Sequence, residues 1–98
     1  MPVVAVFQTP TLTQEKYEES VRRLTGGSKG RLESPADWPV DGLLVHVAGP
    51  AESGFRVVDV WESDDAFRRF GETLIPILRD LGIEEMPEIY PAHTFVSA

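Results

Sequence analysis

The stretch that decides the fold spans residues 42–70 and reads GLLVHVAGPAESGFRVVDVWESDDAFRRF. Residues 43–48 and residues 55–62 are rich in β-branched and aromatic side chains, which favour strands. The segment between them supplies four residues that favour turns: Gly49, Pro50, Ser53 and Gly54. The pattern predicts an antiparallel hairpin, followed by a helix that begins after Ser63.

Side chains alternate along a strand, so the hairpin sorts its residues into two faces. A hairpin centred on its loop places His46 opposite Val57. One face then carries Leu44, His46, Ala48, Phe55, Val57, Asp59 and Trp61, and the other carries Val45, Val47, Val58 and Val60. Because both faces are largely apolar, both should be covered. The chain's own helices can cover one face, and we expect a second copy of the sheet on the other, in a homodimer.

The length of 98 residues favours one domain over residues 1–98. Nine Lys and Arg against sixteen Asp and Glu give a net charge of -7, which disfavours nucleic-acid and anionic-membrane partners. The chain has no cysteine, which excludes disulfides and thiolate chemistry. The opening MPVVAVF is too short for a signal peptide and no later run is long enough to span a membrane, so we expect a soluble, cytoplasmic protein.

The flanking residues predict one strand and one helix before the hairpin. Residues 3–8 form a nearly continuous apolar run, and a helix should begin near Thr11 or Thr13, either of which can cap it. Its buried stripe is Tyr17, Val21 and Leu24, and it ends at Gly26 and Gly27. Residues 28–41 are irregular, with Gly30, Pro35 and Pro39 interrupting any periodicity. So long a loop is typically a lid, a rim or a mobile segment.

A second helix and a last strand follow the hairpin. The helix presents a stripe of Phe67, Phe70, Leu74, Leu78 and Leu81, with a kink or a restart expected at Pro76. Residues 88–96 read as the last strand, with an edge or a bulge at Pro91. The order strand, helix, strand, strand, helix, strand predicts an α+β, ferredoxin-like βαββαβ fold. It has a four-stranded antiparallel sheet with two helices on one face.

A strand that ends in Trp61 and is followed by Glu62, Ser63 and a helical Phe67 resembles the dimeric α/β-barrel superfamily, in its antibiotic biosynthesis monooxygenase-like branch. The resemblance implies that two sheets pair face to face as a barrel, and that a cavity lined by Trp61 lies between each sheet and its helices. Relatives include cofactor-independent oxygenases of polycyclic aromatic polyketides, haem-degrading enzymes, and cyclases or isomerases. Haem chemistry is not carried over, because the second helix lacks the histidine that ligates iron in the haem-degrading relatives.

The polar residues of the hairpin are the candidate catalytic groups. His46 and Asp59 form a diagonal pair roughly 7 to 8 Å apart at the backbone, within side-chain reach. The pair could act as a general base, or it could be a structural pair that satisfies two buried polar groups. Trp61 would supply an aromatic wall for a ligand or simply pack in the core.

Other residues are candidates for the lining of the cavity. Phe55 and Phe67 would complete an aromatic lining, and His93 would either join the cavity or lie at an interface or an exposed edge. Tyr17 and Tyr90 are possible proton donors, although each is more typical of a core residue with its hydroxyl at the surface.

These observations predict a homodimer that binds a small aromatic molecule and needs no metal or other cofactor. The favoured function is that of a cofactor-independent monooxygenase acting on phenolic or polycyclic aromatic substrates. His46, oriented by Asp59, would take a proton, and Trp61 would position the ring. One alternative is a non-oxidative polyketide cyclase or isomerase of the same fold. Another is a non-catalytic module that binds a small ligand or serves only for dimerisation.

Overall fold

The computed structural model describes residues 1–27, 30–38 and 40–98. These contain four strands, two α-helices and a short 3₁₀ turn: β1 Val3–Thr9, α1 Gln14–Leu24, the 3₁₀ turn Pro35–Asp37, β2 Leu43–Pro50, β3 Phe55–Trp61, α2 Asp64–Asp80 and β4 Glu88–Pro91. The sheet has the order β2-β3-β1-β4, and its three pairings are all antiparallel. The predicted α+β layout is confirmed. No helix within the described residues is long and apolar enough to cross a membrane.

The hairpin forms as predicted, but its register differs by two residues. His46 lies opposite Asp59 and not opposite Val57. The reason is that β2 continues through Gly49 and Pro50, so the turn is confined to residues 51–54 and is closed by an Ala51 N–H to Gly54 C=O hydrogen bond of 3.0 Å. Gly54 has φ +82° and lies against the backbone of Thr9, where a Cβ would collide.

A bulge near the start of β2 changes which leucine faces the core. Leu43 pairs with Trp61 while Val45 pairs with Val60, so the register shifts between Leu43 and Val45. Leu43 is buried and Leu44 is 37% exposed. The prediction that Leu44 shares a face with His46 is therefore wrong, and Leu43 takes its place. The grouping of the four hairpin valines on the opposite face is confirmed by their pairing.

Both helices begin at the hydroxyl caps that the sequence offers. Thr13 accepts a hydrogen bond from the N–H of Lys16, and Ser63 accepts one from the N–H of Ala66. The second helix runs without interruption through Pro76, so the predicted restart is wrong. Pro76 lies on the exposed side, where the carbonyl oxygen left without its N–H partner can bind water.

The last strand is shorter than predicted. It ends at Pro91 instead of residue 96, because proline has no N–H to continue the ladder, and the hydrogen bond from Ala92 N–H to Pro2 C=O is the last contact at that edge. In the irregular segment, Ser28, Lys29 and Pro39 lie outside the described residues. The described part around them is irregular apart from the 3₁₀ turn.

The helices cover one face of the sheet and form the core with it. This inner face carries Val3, Ala5, Phe7, Leu43, Val57 and Trp61, which pack against the buried stripes of α1 and α2. The opposite face, called the valine face below, carries Val4, Val6, Val45, Val47, Val58 and Val60, with Tyr90 beside Val4, Glu88 beside Val6, and the polar pair Gln8 and Arg56 in the next row. Its valines are half-buried, except Val47, which is 58% exposed. The sheet thus has a covered face and an open apolar face.

Candidate active site

The observed register makes His46 and Asp59 direct neighbours across β2 and β3. Their side chains meet through a contact of 2.7 Å between His46 Nδ1 and Asp59 Oδ1. The predicted contact is therefore present, although the pair is directly opposed and not diagonal. The side chains are 11% and 6% exposed, so the pair is largely removed from water.

The other nitrogen of the imidazole is held by a tyrosine from α1. The distance between Tyr17 Oη and His46 Nε2 is 2.6 Å, and the two rings lie nearly parallel, with centroids 5.9 Å apart. Tyr17 belongs to the inward stripe of α1, which packs over the inner face at this point. We call these three residues the Tyr17–His46–Asp59 chain.

The hydrogen-bond partners of His46 determine which ring nitrogen carries the proton when the imidazole is neutral. An ionised carboxylate only accepts hydrogen bonds, so Nδ1 must carry the hydrogen that is donated to Asp59. Nε2 then has a free lone pair and accepts the hydrogen bond that the Tyr17 hydroxyl donates. In this arrangement the hydroxyl proton of Tyr17 can be transferred to His46 Nε2, and the same step can run in reverse.

The surroundings hold Tyr17 in its protonated form. Burial, and after it the negative charges of Asp59 and Glu18, together raise the pKa of Tyr17 from 10.0 to about 12. Tyr17 therefore enters any reaction as a hydroxyl and not as a free tyrosinate.

Two cavities meet at Tyr17 and His46. The inner pocket, of about 60 Å³, lies between the sheet and the helices, and its walls include Asp59 and Trp61. The outer cleft, of about 410 Å³, lies beside β2 and is lined by Gln14, Glu18, Arg31, Ala48, Pro50 and Phe55. Tyr17, His46 and Leu32 line both cavities, so the hydrogen-bonded chain forms part of the partition between them.

The aromatic residues named by the sequence have different roles in the structure. Trp61 is fully buried and packs against Phe67 and Phe70, with centroid distances of 5.8 and 4.9 Å. Phe55 packs against Tyr17 at 5.0 Å and lines the outer cleft. Phe67 lines neither cavity and supports Trp61 from behind. Aromatic packing fills most of the interior, which is why the inner pocket is small.

His93 is separated from the other candidates. It follows the end of β4, at the opposite edge of the sheet from β2, and it is exposed and lines neither cavity. Within the described ranges, no three His, Cys, Asp or Glu side chains converge as metal ligands, and the possible grouping of His46, His93 and Asp59 is not formed.

Some residues of the site were not identified from the sequence. Tyr17 was noted as a possible proton donor but was expected to place its hydroxyl at the surface. Its position on the inward stripe of α1, above a face that carries a histidine, is the signal that could have identified it. Gln14, Glu18 and Arg31 gave no such signal. Because Arg31 and Leu32 line the outer cleft, the described part of the irregular segment forms a rim.

The Tyr17–His46–Asp59 chain thus lies between two cavities, and these are the features of the structure that bear on function. Comparison of the chain with models of known families, with curated proteins and with solved structures found no match.

Proposed function

We propose that the protein is an acid–base enzyme that removes a proton from a phenolic or enolisable small molecule bound in the outer cleft. The observation that carries this proposal is the Tyr17–His46–Asp59 chain, with distances of 2.6 and 2.7 Å between successive partners. A buried histidine in contact with a carboxylate alone can be explained structurally, because the two polar groups satisfy each other. The added tyrosine connects that pair to a cleft where a substrate can bind.

In the proposed reaction Tyr17 is the residue that contacts the substrate. The substrate gives its proton to Tyr17 Oη, and the original hydroxyl proton moves to His46 Nε2. The imidazolium that forms is stabilised by Asp59, which accepts the Nδ1 hydrogen bond. The substrate leaves the step as an anion, and His46 holds the additional proton.

The high pKa of Tyr17 requires the two transfers to be coupled. A tyrosinate is disfavoured in this environment, chiefly because the ring is buried. The hydroxyl proton can therefore leave only as the substrate proton arrives. This requirement favours substrates whose acidic proton is placed directly against Oη. A substrate bound in another position finds no group that can accept its proton.

The outer cleft has a suitable size for a small aromatic molecule. Its volume of about 410 Å³ falls in the range of roughly 300 to 1,000 Å³ that is typical of small-molecule sites. Phe55 and Pro50 supply apolar walls, and Tyr17 and His46 also line the cleft. The inner pocket, at about 60 Å³, is too small for an aromatic ring.

The next step of the proposed reaction is oxygenation without a cofactor, as the resemblance of Trp61, Glu62, Ser63 and Phe67 to the monooxygenase-like branch implies. The phenolate would reduce dioxygen directly. One oxygen atom enters the ring as a quinone carbonyl, the other leaves as water, and the substrate loses two hydrogens. A cyclase or isomerase would use the same proton transfer and consume no oxygen.

We also propose that the protein is a homodimer in which two valine faces pack together as an α/β barrel. Support comes from the composition of this face on β2, β3 and β1, where the rows Val45–Val60–Val4 and Val47–Val58–Val6 carry no polar side chain; a charged residue, Glu88, joins the second row only on the edge strand β4. Exposed apolar patches of this kind are typical of protein interfaces.

A specific observation favours a second candidate, a non-catalytic module. The interior is filled by packed aromatic rings, which leave only about 60 Å³ between the sheet and the helices. In that case the Tyr17–His46–Asp59 chain would serve only to satisfy buried polar groups.

Carbon-bound hydrogen exchange in D₂O separates these candidates. Anthrone and a β-diketone are suitable probes, because each carries an enolisable C–H whose exchange is followed by NMR, with oxygen uptake recorded in parallel. We expect the wild type to accelerate exchange and Tyr17→Phe to lose roughly 100-fold or more of that acceleration. Tyr90→Phe is the matched control and should keep the wild-type rate, since Tyr90 lies on the valine face.

The outcome assigns the function. Exchange with oxygen uptake supports the monooxygenase, and exchange without uptake supports the cyclase or isomerase. A wild type no faster than Tyr17→Phe on either probe contradicts the enzyme proposal and leaves the binding module.

A further inference from the structure

The indole N–H of Trp61 is a buried donor without an acceptor. Trp61 is fully buried, and its Nε1 atom makes no hydrogen bond to any part of the chain that the structure describes. Buried polar groups are nearly always hydrogen-bonded, because an unpaired one loses its water without compensation. Since Trp61 lines the inner pocket, the pocket is where an acceptor for this N–H can be supplied.

A carboxylate oxygen without a hydrogen bond belongs to a residue on the same face as this donor. Asp59 and Trp61 are two residues apart on β3, so they share a face and lie roughly 6.7 Å apart along the strand. Asp59 Oδ1 is used by His46, whereas Oδ2 accepts no hydrogen bond within the described residues. Asp59 also lines the inner pocket. The pocket is thus bordered by one unused donor and one unused acceptor.

The remaining walls are apolar and the space is narrow. Phe7, Leu43, Val57, Phe70, Leu74 and Leu78 are among the residues that line it. A cavity of about 150 Å³ can hold benzene, so about 60 Å³ accommodates roughly two to four heavy atoms. The exposed Met86 also lines the pocket, so the pocket reaches the surface at that residue.

We propose that the inner pocket is a binding site for a hydroxyl group on a short aliphatic body. A hydroxyl accepts one hydrogen bond and donates one, so it satisfies Trp61 Nε1 and Asp59 Oδ2 together. A carbonyl compound satisfies only the tryptophan, and a carboxylate is repelled by Asp59. The aliphatic body packs against the leucines and Phe70. This site shares Tyr17, His46 and Leu32 with the outer cleft, but the binding proposed for it does not require the proposed acid–base reaction.

The test uses three probes of similar small size: 2-propanol, acetone and xenon. 2-Propanol both donates and accepts, acetone has nearly the same shape but only accepts, and xenon does neither. The readout is the indole N–H resonance of Trp61 in ¹H–¹⁵N NMR spectra of the whole protein. Trp38, the only other tryptophan, lines neither cavity and is the internal control.

We expect 2-propanol to shift the Trp61 resonance in a saturable manner, with a dissociation constant in the range of roughly 0.1 to 10 mM. Acetone should bind several-fold more weakly, because Asp59 then gains no partner. Trp61→Phe keeps an aromatic ring without the N–H, and it should weaken 2-propanol binding several-fold without weakening xenon binding, measured by ¹²⁹Xe NMR, because the smaller ring only enlarges the apolar space.

Two results would overturn the proposal. One is a Trp61 resonance that does not move in up to roughly 100 mM 2-propanol, which would mean that the pocket takes water only. The other is equal affinity for 2-propanol and acetone, which would show that Asp59 does not take part. Both comparisons use the wild type, so the test stands even if Trp61→Phe fails to fold. Because no turnover is measured, either failure leaves the acid–base proposal untouched.

Discussion

The two faces of the sheet are built from alternate residues of the same strands, yet they differ in kind. On β2 and β3 the inner face brings His46 and Asp59 into contact, whereas the next row of the opposite face pairs Val47 with Val58. The inner face can hold polar groups because Tyr17 of α1 completes their hydrogen bonds. The valine face has no helix above it to do the same, and its central rows carry only apolar side chains. The buried polar pair of this sheet, His46 and Asp59, therefore lies where a covering helix supplies a partner.

The largest effect on stability is expected from His46→Ala, which tests whether the inner face depends on its polar chain. Removing the imidazole leaves Asp59 as a buried charge without a partner, which should lower the free energy of unfolding by about 3 to 5 kcal/mol. Val47→Ala is the matched control on the adjacent residue of β2, and it should cost less than about 1 kcal/mol. Urea denaturation measures both. Equal losses of unfolding free energy in the two variants would contradict the claim that the inner face, unlike the valine face, depends on its polar residues.

A smaller effect is expected at the bulge of β2, which exchanges the facing of two adjacent leucines. Leu43→Ala should cost about 2 to 4 kcal/mol, because Leu43 is 6% exposed and packs in the core. Leu44→Ala should cost less than about 1 kcal/mol. Thermal or urea unfolding measures the loss of stability in each variant. A larger loss for Leu44→Ala than for Leu43→Ala would show that the bulge is misplaced.

The valine face is tested by Val47→Glu, for which little change in the stability of one subunit is expected, because Val47 is largely exposed. If two valine faces pack together, the charge has to be buried in the interface and the dimer should dissociate. Light scattering should then report 10.9 kDa for the variant and twice that mass for the wild type. A wild type that already measures 10.9 kDa would contradict the homodimer.

The smallest effect concerns alkaline pH. The pKa of Tyr17 is 10.0 in the unfolded chain and about 12 in the folded protein. Between these values the unfolded chain loses a proton that the folded protein keeps, so the free energy of unfolding should fall as pH rises from 10 to 12. Tyr17→Phe should show a shallower fall in the same window when unfolding is measured at several pH values. Parallel curves would contradict the buried, protonated tyrosine.

Much of the fold was predictable, because hydrophobic periodicity and capping residues act locally. The alternation in residues 55–61 and the hydroxyls of Thr13 and Ser63 identified a strand and both helix starts. Register was less predictable. Whether β2 ends before or after Gly49 depends on pairing with β3, and the bulge at Leu43 leaves no clear mark in the sequence.

The candidate site was predictable only where its residues share one strand pair. His46 and Asp59 could be placed together from alternation along the hairpin. Tyr17 lies on a helix distant in sequence, so its contact with His46 depends on how α1 packs over the sheet. The prediction for His93 depended on a strand that was expected to continue past Pro91, and β4 ends there.

The central claim, that Tyr17, His46 and Asp59 form a proton-conducting chain, is tested most directly by long-range ¹H–¹⁵N NMR of the His46 ring. We expect the neutral ring to carry its proton on Nδ1 and the Nε2 resonance to move when Tyr17 is replaced by Phe, since its hydrogen-bond donor is lost. A neutral ring protonated on Nε2, or an Nε2 resonance unaffected by Tyr17→Phe, would contradict the chain and the function proposed from it.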